Sequence, residues 1–340
     1  MHQLQPFSLF LMLLFSSNIC IALDCTSSEN GNQNKVAFTI TVNQSGQGNF
    51  TTIQNAVDSI PAGNTQWIRI QISPGKYQEK LTITKDRQCI FLEGAGSKVT
   101  SVEWGDHEST DTSATFTSFP DNIVARGITF KNNYNVKLKP DQLNVTQALA
   151  ARVYGDKSAF YYCSFIGLQD TLWDVKGRHY FYKCYIEGAI DFIFGDGQSI
   201  YERCAIQVNV GTYIAERDSG YITAQGRNSS DDPAGFVFKT CSITGTAKAY
   251  LGRAYGAYSR VIIYNSVLSD VVEPQGWVAW SYVGQEQNFE YVEAGCSGPG
   301  ADTSKRVPWE KKLSATELIQ LVNVSYIDQE GWINKLPIFF

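Results

Sequence analysis

Two aspartates, Asp170 and Asp191, stand 21 residues apart in the stretch GLQDTLWDVKGRHYFYKCYIEGAIDFIFG, each among apolar and aromatic neighbours. Cys163 and Cys184 keep the same spacing of 21, inside the look-alike segments SAFYYCSFIG and RHYFYKCYIEG. A step shared by framework and acids predicts one structural unit stacked on another, with the carboxylates as neighbours across the stack. On parallel coils the two would lie one strand spacing apart, about 4.8 Å. Carboxylates that close do not ionise together easily, so their titrations couple and one is pushed upward. An acid and a base or nucleophile are then present at one pH. Phe192, Ile193 and Phe194 would lower the dielectric around Asp191, and Gln169 sets an amide donor beside Asp170. Taken singly, either aspartate reads equally well as the cap of a turn; the shared register favours chemistry.

The elements that must hold this pair are short β-like runs separated by turns. With Cys163, Cys184, Cys204, Cys241 and Asn265 as equivalent positions, Phe165, Ile186, Ile206, Ile243 and Val267 stand two residues on. Phe160, Phe181, Tyr201, Phe238 and Ile262 stand three residues back, and the steps are 21, 20, 37 and 24 residues. That is one coil per repeat with insertions on some turns, the mark of a solenoid. Aromatic and β-branched residues at the inward positions suit parallel strands stacking like on like. The alternative is an antiparallel sandwich with accidental register. Upstream, Ile68, Ile70 and Ile72 alternate as in a strand, and NFTTIQNAVDSI reads as a short amphipathic helix capped by Thr51 or Thr52. Tyr77 and Glu79 are expected to fix an early turn. Near the end Ser314 and Glu317 form a capping box before LIQLVNV, and the apolar tail GWINKLPIFF should dock on the core.

Composition narrows the setting. The chain has 340 residues and a formal net charge of −5, with no basic run, which argues against nucleic acid as a partner. Residues 1–22 read as a secretory signal, although the segment before the apolar run has no Lys or Arg; a buried N-terminal strand is the alternative. Residues 23–340 then form one domain, since no linker divides them. No later run approaches the ~20 apolar residues of a membrane span. Five N-x-S/T sequons, at Asn43, Asn49, Asn144, Asn228 and Asn323, fit export. Of eight cysteines, Cys20 would leave with the signal, and the odd number remaining leaves at least one thiol unpaired.

Other hydrolytic devices are missing from the sequence. There is no G-x-S-x-G elbow and no H-E-x-x-H. Beyond the signal only His107 and His179 remain, too few for a histidine-rich metal site, and both are expected at the surface or in turns.

In order along the chain, GKYQEK (Gly75 to Lys80), QALAAR (Gln147 to Arg152), GLQDTLW (Gly167 to Trp173), DFIFG (Asp191 to Gly195) and LGRAY (Leu251 to Tyr255) resemble the successive motifs of plant pectinesterases. Each motif alone is weak and the ordered set is specific; the likeness runs from about Lys35 to the C-terminus. The resemblance implies an all-β fold, a single-stranded right-handed parallel β-helix with short terminal helices. It implies a secreted cell-wall enzyme, in the form without an inhibitor-like pro-region, that demethylates the homogalacturonan of pectin without metal or organic cofactor. It implies Asp191 as nucleophile on the ester carbonyl and Asp170 as general acid, then base. Gln147 and Gln169 would donate to the oxyanion, and Arg253 would orient Asp191 and hold it ionised. Tyr255, where the family usually has Trp, and Trp173 would offer flat faces to sugar rings. Tyr is the smaller platform, so weaker or altered substrate binding with an intact chemical step is expected; Trp277 and Trp280 read as platforms or as buried packing. The family suggests a Cys204–Cys241 bridge and leaves Cys163 and Cys184 as buried thiols, because Val136 stands where the partner of Cys163 would be. Cys25, Cys89 and Cys296 find no partner. The protein is expected to act as a monomer on pectin, with a proteinaceous inhibitor as a second partner, and with neither nucleic acid nor membrane.

Two rival functions share these residues. A glycosidase on the same solenoid would also use two acids, and one coil of separation suits the retaining geometry, but the glutamines and the arginine have no evident role in it. A non-catalytic pectin-binding protein would keep the groove without needing Gln147, Gln169, Asp170, Asp191 and Arg253 together.

Overall fold

Like residues recur at like positions along this chain, and parallel stacking is how it buries them. The computed structural model describes Cys25 and residues 36–135, 145–209 and 219–338; the signal reading, Asn144 and Val136 lie outside these. Among the described residues the strands form three sheets, one of ten strands and two of eight. Apart from Phe38–Val42 on Ile68–Ile72, sheet neighbours are not consecutive strands, and paired strands run parallel throughout, for example Ser158–Tyr161 on Arg178–Tyr182 and Ser164–Ile166 on Tyr185–Gly188. The chain visits the three sheets in turn and climbs one coil per circuit. This is the expected parallel β-helix, and the antiparallel sandwich is excluded.

The inward ladders form as the repeat predicted. Phe160, Phe181, Tyr201 and Phe238 stack on successive coils with ring centroids 5.0, 4.5 and 4.7 Å apart. Each such ring, fully buried, is worth about 1.5–3 kcal/mol relative to exposure. The last coil, however, is shifted by one residue from the sequence alignment. Ser242 pairs with Val267, so Ser266 follows Cys241, and Leu268 takes the inward place while Val267 is 52% exposed. Asn265 belongs instead to a row of left-handed turn residues with Tyr162, Lys183, Arg203 and Thr240, all at φ between 47° and 56°. Asn adopts this conformation more readily than most residues, which places it at the corner and not in the ladder.

Two further expectations are corrected. Cys204 and Cys241 are free buried thiols and not a disulfide. Each Sγ turns to a carbonyl one coil below, Cys204 to Phe181 at 3.4 Å and Cys241 to Tyr201 at 3.1 Å, which is how Cys184 meets Phe160. The disulfide that forms is Cys25–Cys89, tying the start of the described chain to the first coils. His179, expected at the surface, is fully buried. Its ring nitrogens face Asp174 Oδ1 at 2.5 Å and Gly155 O at 2.8 Å, and Tyr201 Oη donates to Asp174 Oδ2 at 2.7 Å. Both ring nitrogens meet acceptors, so the imidazolium is favoured; burial opposes it, but the Asp174 charge outweighs that and holds His179 above its usual range. Replacing Tyr201→Phe leaves the Asp174 carboxylate short of a donor in a dry site. A loss of about 1.5–3 kcal/mol is expected, read from the urea midpoint; an unmoved midpoint would show the network to be dispensable.

One short helix covers the first coils, and a second packs on the outer face of the ten-stranded sheet. Helix α1 (Ile53–Asp58) buries Ile53, Ala56 and Val57 and is capped by Thr52 Oγ1. The Glu79 carboxylate accepts from the N–H groups of Ile53 and Gln54 at 3.0 and 2.9 Å, so this residue holds the start of the helix. Helix α2 (Ala315–Val322) carries the expected Ser314–Glu317 capping box. Beyond it Trp332, Leu336 and Ile338 pack with Phe91, Val124 and Ile262 on the outside of the ten-stranded sheet.

Candidate active site

The site lies on the eight-stranded sheet that runs from Leu81–Ile83 to Trp277–Val278. Gln169 bridges Ile190, and Leu172 pairs with Ile193, so Asp170 and Asp191 occupy the same place on adjacent coils. Both are left-handed, at φ 60° and 47°. Aspartate is among the few residues that tolerate this conformation, which breaks the in–out alternation of the strand, and it is often found where strain serves function. Directly above, the register with Gly220–Gln225 shifts between Ile190 and Ile193, a bulge beside the acid. Phe192 and Ile193 are fully buried under the pair, and each aspartate is 8% exposed.

Arg253 reaches Asp191 from two coils above, through the sheet neighbour Ala224. Its Nε donates to Asp191 Oδ1 at 2.8 Å and its Nη2 donates to Oδ2, a bidentate fork. The guanidinium is sandwiched between Tyr221, 4.3 Å from the ring centroid, and Trp280 at 3.9 Å. Stacked and forked, it has little freedom to leave Asp191.

This arrangement separates the two acids. Burial pushes the Asp170 carboxyl up to about 8, with the Asp191 charge adding to it and Arg253 opposing. Burial also holds Asp191 above the usual carboxylate range, and its hydrogen bonds and ion pair with Arg253 offset part of that rise. The cation that favours a carboxylate touches Asp191 and not Asp170, which favours the charge on Asp191 and the proton on Asp170. The sequence spacing predicts such a division, and the family resemblance assigns the proton to Asp170 and the charge to Asp191.

The remaining candidates fall around this pair. Gln169 is half-buried immediately before Asp170, and its carbonyl accepts from Ala148 N at 3.3 Å. Gln147, next to Ala148, is exposed and takes a hydrogen bond from Thr146 Oγ1 at 3.2 Å. The two amides thus stand on successive coils on the Asp170 side, opposite Arg253. Trp173 stacks on Phe194, centroids 5.2 Å apart, with the Arg152 guanidinium 4.5 Å from its ring. Tyr255 is 52% exposed and stacks with Trp280, which is 41% exposed, whereas Trp277 is core.

A family model described as Pectinesterase matches residues 39–330. The chain belongs to the pectinesterase family. A putative pectinesterase of Arabidopsis thaliana, number 10, is 50% identical over 310 residues, covering 91% of each chain. Probable pectinesterase 55 of the same plant is 51% identical over 303 residues, 88% of this chain and 92% of that one. Among solved structures, a pectin methylesterase from carrot superposes with TM-score 0.81 at 29% identity, covering 88% of this chain and 96% of that one. The deglycosylated enzyme from Aspergillus niger gives 0.74 at 30% identity, with 92% and 98% covered. The fold is thus the right-handed parallel β-helix of pectinesterases.

Sequence reasoning missed two partners of Arg253 in this pectinesterase. Tyr221 carried no motif, and only the register one coil below Tyr250 reveals it. Trp280 was left undecided, because its adjacency to Tyr255 depends on the unpatterned turn between their coils. Arg152 closes the QALAAR motif and could have been flagged from that position alone.

Proposed function

We propose that this pectinesterase removes methyl groups from esterified homogalacturonan, giving pectate and methanol, and that it does so in the plant cell wall. The observation that carries the reading is the in-register pair of left-handed aspartates, both buried and only one of them forked by Arg253. The ionised Asp191 attacks the C6 ester carbonyl, and the tetrahedral oxyanion develops on the side where Gln147 and Gln169 can donate to it. Asp170 gives its proton to the departing methoxy oxygen, methanol leaves, and an acyl–enzyme anhydride remains on Asp191. Water then enters. Asp170, now a carboxylate, takes a proton from the water as its oxygen attacks the acyl carbon; Asp191 leaves as a carboxylate, Asp170 is restored, and the uronic acid released gives its remaining acidic proton to solvent. Tyr255 and Trp173 offer apolar faces to neighbouring sugar rings. Export through the segment 1–22, action as a monomer and capture by a proteinaceous inhibitor belong to the same reading and rest on the family resemblance. Among the described residues no helix is long and apolar enough to cross a membrane.

The direct test is methanol release from methylated pectin, with reducing ends counted in the same sample. Methanol without new chain ends is expected; new ends would point to glycosidic cleavage, and no methanol to binding alone. The acids also set the pH dependence of kcat/KM. Asp170 must hold its proton for the first step, so the rate should fall as pH rises through about 8, and it should fall at low pH as Asp191 protonates. A profile still rising above about 9 would remove Asp170 from the acid role.

A further inference from the structure

A third carboxylate stands on the same face and takes no part in the mechanism above. Asp196 follows strand Ile190–Gly195, five residues beyond Asp191. At about 3.3 Å per residue it lies roughly 15 Å from the nucleophile, the span of a few sugar units and not the reacting ester itself. Gly195, Gln225 and Ala254 are paired in register, so the residues after them, Asp196, Gly226 and Tyr255, follow one another on consecutive coils. Gly226 has no side chain, and this opens the gap between the other two. A Cβ added there would sit 2.7 Å from Asp196 Oδ1 and 3.2 Å from Tyr255 Cδ1. Beyond Tyr255 the row continues into Trp280. A carboxylate is thus built into the end of an aromatic row that offers itself to sugar rings.

One oxygen of this Asp196 carboxylate is left unsupported by the described residues. Its Oδ1 is buried with no hydrogen-bond partner among the described residues. An unsatisfied buried oxygen costs stability unless something else uses it. The groups around it are mixed: Asp232 and Asp174 oppose its charge, Lys176 favours it, and Asp156 with Arg178 lines the same recess of about 440 Å³. Arg178 spends its donors on Asp156 and Glu330, and His179 and Tyr201 spend theirs on Asp174, so none of them reaches Asp196.

We propose that Asp196 is a specificity-determining residue, which makes the distal subsite beside Tyr255 accept a neutral methyl-esterified uronate and disfavour a free uronate. This rests on the demethylation reading of the site. A methyl ester presents an uncharged face to Tyr255 and leaves the Asp196 charge unopposed by another anion. A free uronate puts a second negative charge against it in a partly dry setting, where like charges repel more strongly than in water. The discrimination is conditional on pH. Burial, and next the Asp232 charge, push the Asp196 carboxyl up to about 6. Below that value the group is neutral and the subsite tolerates either sugar; above it the subsite selects the ester. The enzyme therefore works further into already demethylated chains in acid than near neutrality.

The experiment compares kcat/KM for methanol release on highly esterified pectin and on pectin of low ester content, at about pH 5 and about pH 7.5, either side of the Asp196 value. Both substrates are processed by the same Asp170–Asp191 pair, so the titration of that pair cancels in the ratio of the two. In the wild type the preference for high ester is expected to grow roughly three- to tenfold between the two pH values, the size of one like-charge contact. In Asp196→Asn the ratio should stay flat. In Asp232→Asn a repelling charge is removed, the Asp196 carboxyl titrates lower, and the midpoint of the change should move to lower pH; this arm stands if Asp196→Asn does not fold. A flat wild-type ratio overturns the proposal, as does an Asp196→Asn ratio that follows the wild type. Failure of the wild type to release methanol from highly esterified pectin would overturn the demethylation reading instead.

Discussion

Asp191→Asn is expected to lower kcat for methanol release by at least about 10³-fold while the protein still binds pectin. The amide keeps the size of the side chain and suits the left-handed backbone at φ 47°, so the fold is retained, but the nucleophilic charge is gone. The same variant should be more stable near pH 8, which separates lost chemistry from misfolding. The sign follows from linkage. Asp170 titrates at about 8 in the folded protein, partly because Asp191 repels its charge, whereas an unfolded aspartate titrates at about 3.9. Between those values the folded state holds more protons than the unfolded state, so stability falls as pH rises through the window and the penalty is complete above about 8. Removing the Asp191 charge lowers the folded Asp170 value and reduces that penalty. A rise of a few degrees in Tm near pH 8, vanishing below about pH 4, is expected. Substantial residual turnover would remove Asp191 as the nucleophile, and a lower Tm would remove the electrostatic account of the pair.

Arg253→Gln carries the second large effect, a fall in kcat/KM of about 10²- to 10³-fold at mildly acid pH. The guanidinium is the group that opposes burial at Asp191. Without it the folded Asp191 carboxyl moves further up, and a larger share of the enzyme carries a protonated, non-nucleophilic Asp191. The acid limb of the pH–rate profile should therefore move to higher pH, with part of the loss recovered as pH rises toward neutrality. Arg253→Lys should rescue poorly, since an ammonium supplies neither the fork to both Asp191 oxygens nor the flat face stacked between Tyr221 and Trp280. A uniform loss with an unmoved acid limb would mean that Arg253 only binds substrate and does not hold Asp191 ionised.

Where sequence and structure agree, the information was local or periodic. The step of 21 residues places Asp170 under Asp191 because both segments have the same length and pattern, and coil length is a sequence property. The capping box at Ser314–Glu317 was likewise legible, since its partners are three residues apart. Where they differ, a contact between coils decided. The alignment of Asn265 with the cysteines failed by one residue because a left-handed corner, not an inward place, suits Asn there. His179 looked like a surface residue because the ion pair that allows its burial, with Asp174, depends on the turn between their strands.

The sequence by itself determined the solenoid, the two acids and their adjacency, because a repeated coil of fixed length leaves like positions nowhere to go but on top of one another. Only the tertiary structure shows the contact that tells the two acids apart. That difference depends on a guanidinium 62 residues further along, set against Tyr221 and Trp280 and forked onto Asp191, and on packing that buries Asp170 without a direct ion pair among the described residues. Charge separation in the site is a property of burial and of neighbours brought from other coils, and neither is written in the spacing of the two aspartates.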